Sequence, residues 1–347
     1  MRSRGMIAVA AAAGLAACAA GPSPGLAQMR AMPANVAPSA ETPAPGSSGG
    51  PCLDDGPALS TDLRPEFGPD FPVDYGPDLF GPPSGFGAMG PAQGGVYTWQ
   101  LLPDGLMYPA YLAGVRESRV AGQWGYETDS GWLMDVTLGA RVPLLRFGTD
   151  APLFPEGWQI DAEGAAFPRI DWSTEREMVA TDFRFGVPIT ARFGRWEYKL
   201  AYYHLSSHLG DEFMARHATF DRLNYVRDGL VLGTAVRPHP DLRLYAEAGW
   251  AFYTDGAADP WEFQFGADYS RVAPTGLRGS PFLAVNGHLR GEVEFGGHLS
   301  VQAGWQWRGE TGHLFRAGLM YFNGQSIQYQ FFPRHEQQIG FGAWYDF

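Results

Sequence analysis

From about residue 119 onward, apolar and polar side chains alternate with a period of two, and no other feature of the chain limits its fold as tightly. Between Trp132 and Val142 the even positions are apolar, while the odd ones include Asp135, Thr137 and Arg141. Successive side chains of a strand point to opposite faces, so one face here is oily and the other charged. The same rule sets Leu242, Leu244, Ala246, Ala248, Trp250 and Phe252 against Arg243, Tyr245 and Glu247. It sets Leu299, Val301, Ala303, Trp305 and Trp307 against Gln302, Gln306 and Arg308. A sandwich in water also alternates, but Trp and Tyr gathered at strand ends favour a barrel wall crossing lipid, where such rings sit at the boundary with water.

About twelve segments follow this pattern, near 119–127, 131–146, 157–167, 179–193, 195–206, 224–237, 241–254, 261–270, 281–293, 296–309, 313–324 and 335–347. Most reach the nine to eleven or so residues that a tilted strand needs to cross a bilayer. The expected fold is therefore all-β: an antiparallel up-and-down transmembrane β-barrel of about twelve strands within 96–347, preceded by a disordered Pro/Gly-rich segment. An even count puts both barrel ends on the periplasmic side and the connections 168–178, 207–223 and 325–334 outside. Two connections, 147–156 and 271–280, are long for the side this scheme gives them, which leaves the count open by two. The final Trp344-Tyr345-Asp346-Phe347 resembles the C-terminal signal through which outer-membrane barrels are inserted, and it implies the barrel-assembly machinery as a partner.

Composition agrees. Charged residues make up 18% and aromatics 14%, with 46 glycines spread through the aromatic segments. Mean hydropathy is only −0.19, as expected when a barrel hides its polar half inside. After the N-terminus no apolar run reaches the roughly 18 residues of a spanning helix. The net charge of −12 argues against nucleic acid, whose phosphates call for a basic surface.

The start reads as an export signal over residues 1–27: Arg2 and Arg4, an apolar stretch from Met6 to Ala17, then small residues. Two cleavage sites fit. Leu15-Ala16-Ala17-Cys18 resembles the lipoprotein box, which would lipidate Cys18, and Gly25-Leu26-Ala27 is an ordinary small-residue site. Residues 28–95 are rich in Pro, Gly, Ala and Ser and read as a disordered periplasmic linker that offers a site for another envelope component. The other cysteine, Cys52, falls there, so two cysteines build neither a disulfide framework nor a metal cluster.

One stretch stands apart, Tyr202 to Glu212. Trp196, Tyr198, Leu200 and Tyr202 share the apolar face of their strand, whereas Arg195, Glu197 and Lys199 share the lumenal one. Continued, the parity puts His204 and Ser206 on the lipid side near the outer rim, where polar groups are costly unless paired or functional. An imidazole two residues from a hydroxyl on one face suits a general base and a serine nucleophile. On the next strand Asn224 and Asp228 share outward parity, and either could orient His204. Asp211 and Glu212 offer oxygen ligands for Ca²⁺. His288 and His313, with Arg141, Arg184, Arg192 and Arg308 facing Glu247 and Asp135, read as a charge network filling a narrow lumen or lining a pore.

Over about residues 100–347, including Leu102-Pro103-Asp104-Gly105-Leu106, Tyr108-Pro109 and His204 to Glu212, the chain resembles a bacterial family of domains of unknown function. Locally, His204-x-Ser206 is similar to the dyad of outer-membrane phospholipase A and lipid A 3-O-deacylase, barrels that cleave acyl esters of membrane lipids. That resemblance implies outer-membrane lipids as substrates, with Ser206 and His204 catalytic. The chain departs from the phospholipase pattern at Ser207, where Asn follows the serine. The competing function is a non-catalytic barrel serving as pore or envelope scaffold.

Overall fold

The computed structural model describes residues 96–151 and 153–347. The chain divides into two units, Met1–Asp78 and Leu79–Phe347, and the described residues lie in the second. The expected leader with Cys18, and the linker with Cys52, lie outside the described residues.

Thirteen strands form one sheet. A short β1 (Thr98–Leu101) precedes twelve that build a closed wall: β2 (Val120–Glu127), β3 (Gly131–Gly148), β4 (Gly157–Asp171), β5 (Glu177–Phe193), β6 (Trp196–Leu209), β7 (Val226–His239), β8 (Leu242–Asp255), β9 (Trp261–Ser270), β10 (Ser280–Arg290), β11 (Gly297–Arg308), β12 (Leu314–Gln325) and β13 (His335–Asp346). Each pairs antiparallel with the next, and β13 returns to β2 from Gln338 opposite Glu127 to Tyr345 opposite Val120. Closure leaves the ring without an edge, which is what lets strands sit in lipid with their backbone groups paired. The strand count is thus twelve in the barrel, and β1 is an addition, clipped to the end of β3 from Thr98–Gly148 to Leu101–Leu145. Among the described residues no helix is long and apolar enough to cross a membrane.

The alternation read from sequence is the alternation of inside and outside. Leu138, Leu200, Leu232, Trp250, Leu319 and Ile339 are exposed on the outer wall. Facing inward, Glu197 accepts from Arg192 Nη2 at 3.0 Å and from the Nε atoms of Arg237 and Arg243 at 2.8 Å each. Arg169 bridges Asp135 and Glu336, and Arg141 meets Asp161 at 2.6 Å. Arg184 meets Glu163 at 3.2 Å, and His288 meets Glu262 at 3.1 Å. Such groups tolerate enclosure because each is paired. Three details depart from expectation. Arg195 lies exposed beside Gly194 in the β5–β6 turn. His313 stacks on Tyr345, meets Phe347 edge-on and takes no part in the network. Arg308 bonds backbone carbonyls of Arg271 and Gly312 at the rim.

The larger departure is what fills the ring. Residues 103–119 follow β1 and touch β3, β5, β8, β9 and β12, strands on opposite sides of the wall, as only a segment inside the ring can. Arg146 donates to the carbonyls of Asp104 and Gly105, at 2.8 and 2.7 Å. Tyr111 donates to Glu247 at 2.7 Å and stacks on Tyr245 at 3.8 Å. Lys199, itself 2.5 Å from Glu247, lies over the rings of Tyr108 and Tyr111. Leu112 bonds Asp268 through its N–H and Arg316 through its carbonyl, while Arg116 pairs with Asp182. Gly233 gives this plug room: a Cβ there would stand 3.1 Å from Tyr108 Oη. At the end opposite Phe347, Tyr329 of the 326–334 connection closes over Tyr225, their rings 4.7 Å apart.

Candidate site on the outer wall

The site is built by β6 and its two neighbours. Along β6, burial alternates so that Ala201, Tyr203, Leu205 and Ser207 face inward while Tyr202, His204, Ser206 and His208 face outward. Register sets the neighbours: Phe185 and Asp228 flank His204, and Phe183 and Val226 flank Ser206.

Asp228 is the residue that reaches the histidine. His204 Nδ1 lies 3.0 Å from Asp228 Oδ1, and Tyr202 donates its hydroxyl to the same oxygen at 2.7 Å. His204 is partly exposed and Asp228 more covered, their side chains 42% and 21% accessible, so the pair sits at the surface of the wall. With Nδ1 committed to the carboxylate, Nε2 is the nitrogen that can act as a base. Ser206 follows on the same face, two residues or about 7 Å of backbone away. It makes no hydrogen bond to His204.

The other sequence candidates are placed elsewhere. Asn224 precedes β7 and donates to Asp255 Oδ2 at 2.6 Å, so it does not orient His204. Asp211 and Glu212 open a six-residue helix α1 (Asp211–Arg216), and Glu212 accepts from the Met178 N–H at 3.3 Å. Among the described residues no group of three or more His, Cys, Asp or Glu is arranged to hold a metal ion. Two carboxylates alone fall short of the six to eight or so oxygens that Ca²⁺ takes. The part played by Tyr202 was missed from sequence. Its parity with His204 was legible, but its bond to Asp228 depends on register.

Residues 90–347 match the family described as "Protein of unknown function (DUF1207)". The chain belongs to that family. No curated protein matches in sequence. Among solved structures, the calcium-bound dimer of the Salmonella typhi outer membrane phospholipase shares 13% identity at a TM-score of 0.45, over 69% of this chain and 91% of that one. Outer membrane phospholipase A from Escherichia coli shares 12% identity at the same TM-score and coverage. A KdgM porin in complex with oligogalacturonate shares 10% identity at a TM-score of 0.37, over 66% of this chain and 99% of that one. The closed sheet of this chain, apolar outside and charged inside, is that of a transmembrane type of β-barrel.

Proposed function

We propose that this DUF1207 barrel resides in the bacterial outer membrane and hydrolyses acyl esters of outer-leaflet lipids at Ser206. The observation that carries the reading is the His204–Asp228 pair on the lipid-facing wall, with a serine beside it on the same face. Ser206 Oγ attacks the ester carbonyl, and His204 Nε2 takes its proton. Asp228 holds the ring by Nδ1 and steadies the imidazolium. His204 then protonates the departing alcohol, leaving an acyl-serine. A water, deprotonated by the same nitrogen, releases the fatty acid and restores the hydroxyl. The bond from Tyr202 fixes the carboxylate that fixes the histidine.

The full chain, purified in detergent, is given radiolabelled phospholipid and lipid A, with added calcium and with chelator. The expected outcome is fatty-acid release that falls at least a thousandfold in Ser206→Ala. Equal release by Ser206→Ala removes the serine from the chemistry. One observation favours a second reading, that of an inert scaffold: the lumen is filled by residues 103–119. In that case neither lipid is cleaved, and planar bilayers show no conductance. Insertion by the barrel-assembly machinery through Phe347 belongs to both readings, and removal of Phe347 is expected to lower the amount of folded barrel in the membrane.

A further inference from the structure

A cavity of about 80 Å³ lies between the plug and the wall, at the end of the barrel that holds Phe347. The plug lines it with Gly105 and Pro109, and the wall with Arg192, Arg243, Arg308 and Asp268. Arg243 is 2% exposed and spends only Nε on Glu197. Its Nη1 and Nη2 have no hydrogen-bond partner among the described residues, nor do Arg192 Nε and Asp268 Oδ1. Nη1 stands 3.7 Å from Asp268 Oδ2, an ion pair without a hydrogen bond. Asp346, also on the lining, gives Oδ2 to Arg316, while its Oδ1 lies 3.2 Å from Arg119 Nε without a hydrogen bond.

Enclosed donors and acceptors left without partners are costly, and a ligand that satisfies both kinds relieves that cost. Arginines converging from three strands suit a tetrahedral oxyanion better than a planar carboxylate, which one guanidinium fork satisfies. Asp268 narrows the choice. A carboxylate oxygen repels an anion unless that anion brings a proton to donate. We propose that this cavity is a phosphate site, in which Arg243, Arg192 and Arg308 hold the oxygens and Asp268 accepts a P–O–H hydrogen bond. Sulfate has the same shape and no such proton, so the site discriminates against it.

The test uses the full chain in detergent with inorganic phosphate as the probe, read by calorimetry and by thermal unfolding. Saturable phosphate binding is expected, with a rise in melting temperature and affinity for sulfate at least tenfold weaker. Arg308→Gln is expected to weaken phosphate binding by roughly tenfold or more. Arg308 stands outside the Glu197 cluster, so this variant tests the site even if Arg243→Gln does not fold. Asp268→Asn is expected to narrow the gap between phosphate and sulfate. No saturable phosphate binding, equal affinity for sulfate, the same thermal rise with chloride at equal ionic strength, or unchanged affinity in Arg308→Gln would each overturn the proposal.

Discussion

The two faces of β6 make opposite use of polar side chains. Inward, Glu197 is held by three arginines and Lys199 by Glu247, while Ser207 donates to Asp182. Each of these has a structural reason to exist, because a narrow lumen has to be filled and its charges matched. Outward, Tyr202, His204 and Asp228 form a polar island among aromatic and aliphatic neighbours such as Phe185, Leu200 and Leu230. No packing requirement puts an imidazole and a carboxylate there. A feature that the fold does not need, set where it meets lipid, points to function. The same strand thus carries its structural polar groups on one side and its chemical ones on the other.

Substitutions on the two sides separate these roles. The largest effect is expected from Asp228→Asn, which keeps shape but loses the charge that supports the imidazolium. Lipid hydrolysis falls by roughly a thousandfold to ten-thousandfold with the melting temperature nearly unchanged. A variant that retains wild-type turnover would strip the outer island of its proposed purpose. Next comes Glu197→Gln, which leaves Arg192, Arg237 and Arg243 without their shared anion. Stability falls by about 3–5 kcal/mol, measured by thermal or denaturant unfolding in detergent. Turnover per folded molecule stays the same, and a parallel loss of turnover would show that the two faces are coupled.

The smallest effect concerns the plug. Burial raises the pKa of Glu117 above its ordinary value, opposed by Lys199 and Arg119. The folded form therefore holds a proton that the unfolded chain has released, over the window above the ordinary carboxylate pKa of about 4.3. Stability is full below that window and falls as pH rises through it. Relative to Glu117→Gln, which is neutral at every pH, the melting temperature of the native chain is expected to decline as pH is raised from about 4. An identical pH dependence in the two would remove Glu117 from it.

Most of the wall was legible because alternation is written locally. Every segment from 119–127 to 335–347 corresponds to a strand, with ends shifted by a few residues. The outward stance of His204 and Ser206 followed from the same count. Choosing between Asn224 and Asp228 did not, since both share a parity and only the pairing of His204 with Asp228 decides. The plug was illegible for a different reason. Residues 103–119 have no period, and Tyr108 and Tyr111 are buried by Arg243, Tyr245 and Glu247, far along the chain. Their surroundings exist only once the ring has closed.

The clip of β1 on β3 has a mechanical consequence. A pull on the chain ahead of Thr98 is borne first by four residue pairs lying side by side, from Thr98–Gly148 to Leu101–Leu145. These backbone bonds share the load in shear, and the cork behind them stays seated until the latch gives way. Traction from the leading segment is thereby isolated from the β2–β13 seam, where Arg119 grips Asp346.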